Sequence, residues 1–141
     1  MYAGLINVRV LDANGQGSLS NVLAGIQWVV ANQSTDNIRV LNLSLGHPVS
    51  ESYTTDPLCQ AVEPAWKAGI VVVCAAGNNG RTNLVSVPGA ANEGWGTAYG
   101  SIQSPANDPH VITVGATKSM DGAKADDKIA TYSGRAPLIS L

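Results

Sequence analysis

The chain is short of charge. Only 13% of its 141 residues are Asp, Glu, Lys or Arg, against about 25% in an ordinary soluble domain. Such a lean composition suits the interior of a larger α/β protein. There is no basic excess either: the net charge is -2 and the isoelectric point is near 5.5. Nucleic-acid binders usually carry a basic stripe, so no nucleic-acid partner is expected. No apolar run reaches the roughly 18 residues that a membrane helix needs, so no membrane partner is expected. No charged segment followed by an apolar stretch opens the chain, and no signal peptide is visible. There are two cysteines, Cys59 and Cys74, and neither stands in a C-x-x-C pair, which argues against zinc. The helix and strand that carry them belong to layers about 10 Å apart, whereas bridged Cα atoms need less than about 7 Å. Both are expected to be free thiols. No G-x-G-x-x-G follows the first apolar run, and no phosphate-loop lysine follows a glycine run, which weakens a nucleotide-binding reading.

What is present is a set of short apolar runs that end in small residues. Val71-Val72-Val73-Cys74-Ala75-Ala76-Gly77-Asn78 begins as a strand and ends in a glycine turn. A run this short, bounded by a turn, reads as a central strand of a parallel sheet. Open α/β sheets place ligands beyond the carboxyl ends of such strands. Ala75, Ala76 and Gly77 leave room there for a substrate backbone. Asn78 offers an uncharged NH2 donor suited to a developing oxyanion. A second run, Ile38-Arg39-Val40-Leu41-Asn42-Leu43-Ser44-Leu45-Gly46, has the same form.

Around these runs the pattern alternates between strand and helix. Strands are predicted over Leu5 to Leu11, Arg39 to Ser44, Ile70 to Ala75 and Val111 to Ala116. Ser18 or Ser20 caps a first helix whose apolar face is Leu19, Val22, Leu23, Ile26, Val29 and Val30, spaced by threes and fours. Asp56 caps a second helix with Pro57 at its first position and Gly69 beyond its end. Pro64 falls inside this helix, where proline costs around 3 kcal/mol or kinks the axis, so a bend is expected there. The fold class is therefore α/β, a parallel sheet with flanking helices built from β-α-β units. Gly77 to Ser104 reads as one long glycine-rich loop, with Trp95 and Tyr99 as packing residues.

Together the blocks resemble the subtilisin-like serine proteases. The N-x-S-L-G strand appears at Asn42 to Gly46 and the A-A-G-N turn at Ala75 to Asn78. Val8-Arg9-Val10-Leu11-Asp12, Gly15-Gln16-Gly17-Ser18, Ser104-Pro105-Ala106-Asn107-Asp108-Pro109 and Val111-Ile112-Thr113-Val114-Gly115-Ala116 extend the likeness. The resemblance implies part of a three-layer catalytic domain: 1–135 as its central part, 136–141 as a divergent end. It implies a peptide or protein substrate and a secreted or extracellular parent. Ser44, Leu45 and Gly46 would pair with an extended peptide, and Ala75, Ala76 and Gly77 would form the opposite wall. Asn78 would be the oxyanion donor, and Leu19 would rim a more distant subsite. No cofactor is expected. In some relatives a weak cation site uses the carbonyls equivalent to those of Ala106, Asp108 and Val111.

The family's D-S/T-G, H-G-T-H and G-T-S-M-A blocks, which carry the catalytic Asp, His and Ser, do not occur in this sequence. His47 lacks the glycine-threonine setting of the catalytic base. Ser133 lies in Y-S-G-R, outside any nucleophile block. The sequence is expected to be inactive as it stands, an incomplete gene or truncated reading frame. The alternative is a non-catalytic α/β peptide-binding module that kept the cleft.

Overall fold

The computed structural model describes residues 3–82, 95–119 and 124–136. Its centre is a three-stranded parallel sheet, β1 (Val40–Leu43), β2 (Val71–Ala75) and β5 (Ile112–Val114), in the spatial order β1-β2-β5. Val40 pairs with Val71 and Leu43 with Cys74, while Val73 pairs with Ile112 and Ala75 with Val114. β2 is thus the middle strand, flanked on both sides.

Two helices cover one face. Helix α1 (Leu19–Ala31) starts where Ser18 Oγ accepts the Asn21 N–H at 3.2 Å, which satisfies one of the orphan donors of the first turn. It buries Val22, Ile26 and Val29, one stripe at helical spacing. Helix α2 (Pro57–Lys67) starts at Asp56, which caps both Leu58 N and Cys59 N. It buries Leu58, Cys59, Val62 and Ala65. Both stripes meet Leu43, Ile70, Val72 and Cys74 in one apolar core. Burying a side chain such as Val62, Ile70 or Val72, each at most 1% exposed, contributes about 1.5–3 kcal/mol. Period-two alternation puts the other residues of the strands on the opposite face, where Val40, Val71, Ile112 and Val114 are 46–58% exposed. Of the three expected layers, the described residues form two, the sheet and one helical layer.

Several expectations need correction. Residues 5–11 form no strand. Val8 and Val10 instead lean on α1, where a Cβ on Gly25 would meet Val10 Cγ1 at 2.6 Å. Side-chain packing holds this segment beside the helix, with no ladder to β1, and Leu5 is left 96% exposed. As expected, α2 continues through Pro64 as one helix. Gln60, whose carbonyl would have received the missing N–H, and Pro64 both lie on the exposed side, where water can take that role. The stretch from Gly77 to Ser104 is also not all loop: β3 (Arg81–Thr82) and β4 (Trp95–Thr97) pair antiparallel, and residues 83–94 lie outside the described ones. A second short antiparallel pair, β6 (Thr117–Lys118) with β7 (Lys128–Ile129), follows β5.

Candidate active-site cleft

The candidate residues gather at the carboxyl ends of β1 and β2, because adjacent parallel strands end side by side. Leu43 pairs with Cys74, so the chain leaves β1 at Ser44 beside the place where β2 reaches Ala75. Asn42 Nδ2 donates to Ser44 Oγ at 3.0 Å and steadies this end. Ser44, Leu45, Gly46 and His47 form one side of an open groove of about 670 Å³. Leu11, Gly15, Gln16, Gly17, Leu19, Val22 and Leu58 complete it, so Leu19 shares the groove with the Ser44–Gly46 segment.

Ala75, Ala76, Gly77 and Asn78 do not line that groove; backbone bonds hold their segment beside it. Ala76 N donates to Val114 O at 2.9 Å, Gln103 N to Ala76 O at 3.2 Å and Gly134 N to Gly77 O at 2.8 Å. Gly77 turns the chain with φ +90, a left-handed conformation that side chains other than glycine resist. Asn78 follows it, exposed, and makes no side-chain hydrogen bond among the described residues. Its NH2 is therefore uncommitted.

One residue that sequence reasoning missed lies between the Ser44–Gly46 and Ala75–Asn78 segments. A Cβ on Gly77 would lie 2.7 Å from Gln103 Cγ, and a Cβ on Gly46 would lie 3.2 Å from Gln103 Cβ. The Gln103 side chain thus stands between Gly46 and Gly77; the Ser104 carbonyl, 2.7 Å from a Cβ on Gly46, and the φ of +90 at Gly77 also demand glycine there. No local motif marks Gln103. Only the pairing of distant segments reveals it.

A second missed feature supports the groove from behind. Asp56 is fully buried, yet its Oδ1 accepts from Leu58 N at 2.9 Å, Cys59 N at 3.2 Å and Ser104 Oγ at 2.8 Å. Ser104 in turn exchanges backbone bonds with His47, at 3.1 and 3.0 Å. The helix cap is therefore wired to the residue after Gly46. His47 itself rims the groove, its Nδ1–H donating to Pro48 O at 2.8 Å and its Nε2 lying 3.6 Å from Asp56 Oδ2. Cys59 and Cys74 are both buried and free. Burial pushes their thiols up, to about 11 for Cys59 and about 12 for Cys74, and the neighbouring Asp108 charge pushes both the same way. They are inert core residues at neutral pH.

Of the three carbonyls that match a weak cation site in some relatives, those of Ala106 and Asp108 have partners within the chain. Ala106 O accepts from Thr113 Oγ1 at 2.5 Å, and Asp108 O from Val111 N at 3.5 Å. Each carbonyl keeps a second lone pair.

Comparison with known proteins places this arrangement. The model of the subtilase family, Peptidase S8, matches residues 2–140. The chain is 35% identical over 144 residues to serine protease AprX of Bacillus subtilis (strain 168), covering 97% of this chain and 29% of that protein. It is 36% identical over 119 residues to subtilisin E of the same organism, covering 84% of this chain and 26% of that one. Against the extracellular serine proteinase of Thermus sp. (strain Rt41A) the figures are 40% over 114 residues, 81% and 22%. The chain thus spans about a quarter of the length of these relatives. Among solved structures, sphericase superposes with a TM-score of 0.69 at 24% identity, over 92% of this chain and 35% of its own, a likeness of fold. The α/β architecture and the family match agree: the chain belongs to the subtilase family of serine peptidases.

Proposed function

We propose that this chain supplies the substrate cleft and the oxyanion donor of a subtilisin-like serine endopeptidase. One observation carries the reading. The Ser44–Gly46 segment and the Ala75–Asn78 turn leave neighbouring parallel strands at the same edge, with Gln103 between them. An extended peptide laid along Ser44, Leu45 and Gly46 gains main-chain hydrogen bonds that make no demand on its side chains. Ala75, Ala76 and Gly77 form the facing wall. A scissile carbonyl held there directs its oxygen toward Asn78 Nδ2. That donor bonds more strongly as the oxygen gains charge, which lowers the barrier and not the ground state.

Nucleophile and general base are not among the residues of this sequence. In Ser-His-Asp chemistry the serine Oγ attacks the carbonyl carbon while histidine takes its proton. The parent protease would bring those groups from the D-S/T-G, H-G-T-H and G-T-S-M-A blocks of the family. The present chain alone would bind peptide without turning it over. We place the parent outside the cell, in keeping with relatives such as the extracellular proteinase of Thermus.

The test is Asn78→Leu in the parent protease, assayed on a chromogenic peptide. Turnover should fall by roughly a hundred- to a thousand-fold with KM little changed. A loss carried mainly by KM would assign Asn78 to ground-state binding. Covalent labelling of the present chain by a serine-reactive phosphonate, with turnover, would overturn the division of labour. Flanking coding sequence without the three triad blocks would favour a peptide-binding module.

A further inference from the structure

Away from the cleft, on the far side of α2, three side chains with metal-ligand chemistry converge. Glu63 comes from α2, and Asp108 and His110 come from the turn that leads into β5. One donor atom from each lies within 4.8 Å of the other two. The members differ in setting. Glu63 and His110 are partly exposed, with 27% and 32% of their side chains accessible, so an ion could reach them. The Asp108 side chain is completely buried.

Asp108 is the unusual member. Its Oδ1 accepts from His110 N at 2.7 Å and lies 3.0 Å from His110 Nδ1. Its Oδ2 is buried and accepts no hydrogen bond among the described residues. A buried carboxylate oxygen without a partner is costly, and proteins normally offset it with a counter-charge. A bound ion can answer it.

The surroundings hold the three donors in place. Trp66, one turn along α2 from Glu63, stacks on the His110 ring with centroids 4.4 Å apart and planes tilted by 44°. The ring is therefore oriented before any ion arrives. Lys67 donates to Glu63 Oε2 at 2.8 Å. That hydrogen bond, and then the Lys67 charge, hold the Glu63 carboxyl below its ordinary value, so it is ionised at neutral pH.

We infer that Glu63, Asp108 and His110 form a binding site for a divalent transition ion of the zinc type. One imidazole nitrogen with two carboxylates suits zinc, cobalt or nickel. Calcium takes oxygen ligands and has little use for the histidine. Water would complete the coordination shell. The ion would clamp α2 to the turn before β5, and so hold the helix that lines the groove against the strand beside Ala75. The donors are side chains, which sets this site apart from the backbone carbonyls of Ala106, Asp108 and Val111. The inference does not depend on peptidase activity.

The test is calorimetric titration of the full-length protein with zinc chloride after chelator treatment, with thermal melting in parallel. One zinc per chain should bind and raise the melting temperature. His110→Gln should abolish binding. Glu63→Gln should weaken it by roughly tenfold or more. Both variants should retain the far-UV circular dichroism of the parent, and Glu63, being on the surface, tolerates replacement if His110 does not. Millimolar calcium should not displace the zinc. Absence of zinc binding would overturn the inference. Zinc binding that survives both substitutions, or that calcium displaces, would move the ion to other ligands.

Discussion

Asp56 is the residue whose loss should cost the fold most for its size. Three donors converge on a single oxygen of a fully buried side chain. Replacing Asp56 with Ala removes the cap of α2, worth about 1 kcal/mol and up to about 2. It also leaves the Ser104 hydroxyl without its acceptor in a buried site, a further penalty of about 1–3 kcal/mol. The sum is about 2–5 kcal/mol. Asp56→Asn keeps an oxygen for the cap and for Ser104, since Asn caps about as well as Asp. Its NH2 would take the place of Oδ2, which accepts no hydrogen bond among the described residues. That variant should cost less than about 1.5 kcal/mol. Urea midpoints of the two variants in the parent protease would measure both. Pairing Asp56→Ala with Ser104→Ala should give a cost below the sum of the singles by about 1 kcal/mol, because the shared bond is lost only once. Strict additivity, or an Asp56→Ala cost below about 1 kcal/mol, would refute the assignment of Asp56 as the hub joining α2 to the Ser104 segment. A functional readout accompanies it. Ser104 is bonded to His47, next to Gly46, so Asp56→Ala should raise KM more than it lowers kcat.

Three other outcomes are expected. Gln103→Gly clears the space between Gly46 and Gly77, so the parent protease should gain roughly tenfold in kcat/KM for peptides with a large apolar side chain there over small ones; an unchanged ratio would place Gln103 outside the substrate pocket. Cys59 and Cys74, with thiols raised to about 11 and about 12, should resist iodoacetamide at pH 8 in the native protein and react in urea. Because their folded values lie above the ordinary 9.0, stability should be intact below that value and fall as the pH climbs through 9 toward 11, since only the unfolded thiols ionise freely; a rising urea midpoint between pH 8 and pH 10 would contradict the burial argument. Val40, Val71, Ile112 and Val114 leave an apolar sheet face exposed, and parallel sheets are normally covered on both faces, so the isolated 141-residue chain should bind a hydrophobic dye or aggregate. A dye-silent monomer melting sharply above about 60 °C would argue against this.

What could be read from the sequence, and what could not, divides by range. Ser18 and Asp56 were legible as caps because a capping side chain acts on backbone N–H groups two or three residues ahead. The stripes of α1 and α2 were legible because helical spacing depends only on the helix itself. β2 was legible because its apolar run and its glycine turn adjoin one another. The expected strand over Leu5 to Leu11 shows the limit of such reasoning. Alternating apolar residues report that one face is buried, and Val8 and Val10 do pack on α1. Whether a ladder forms depends on a neighbouring strand at hydrogen-bonding distance, and no local pattern encodes that neighbour. Gln103 was invisible for the same reason, since its position follows from two glycines 31 residues apart in the chain that both approach it. The meeting of Asp56 with Ser104, 48 residues away, is of this kind too. So is the convergence of Glu63 with Asp108 and His110. A capping aspartate has one oxygen to spare for its helix, and only the path of the chain decides what else that oxygen will hold. In this protein the same carboxylate that starts α2 also anchors the segment beside Gly46, so a residue legible as local structure becomes part of the cleft through contacts that the sequence does not announce.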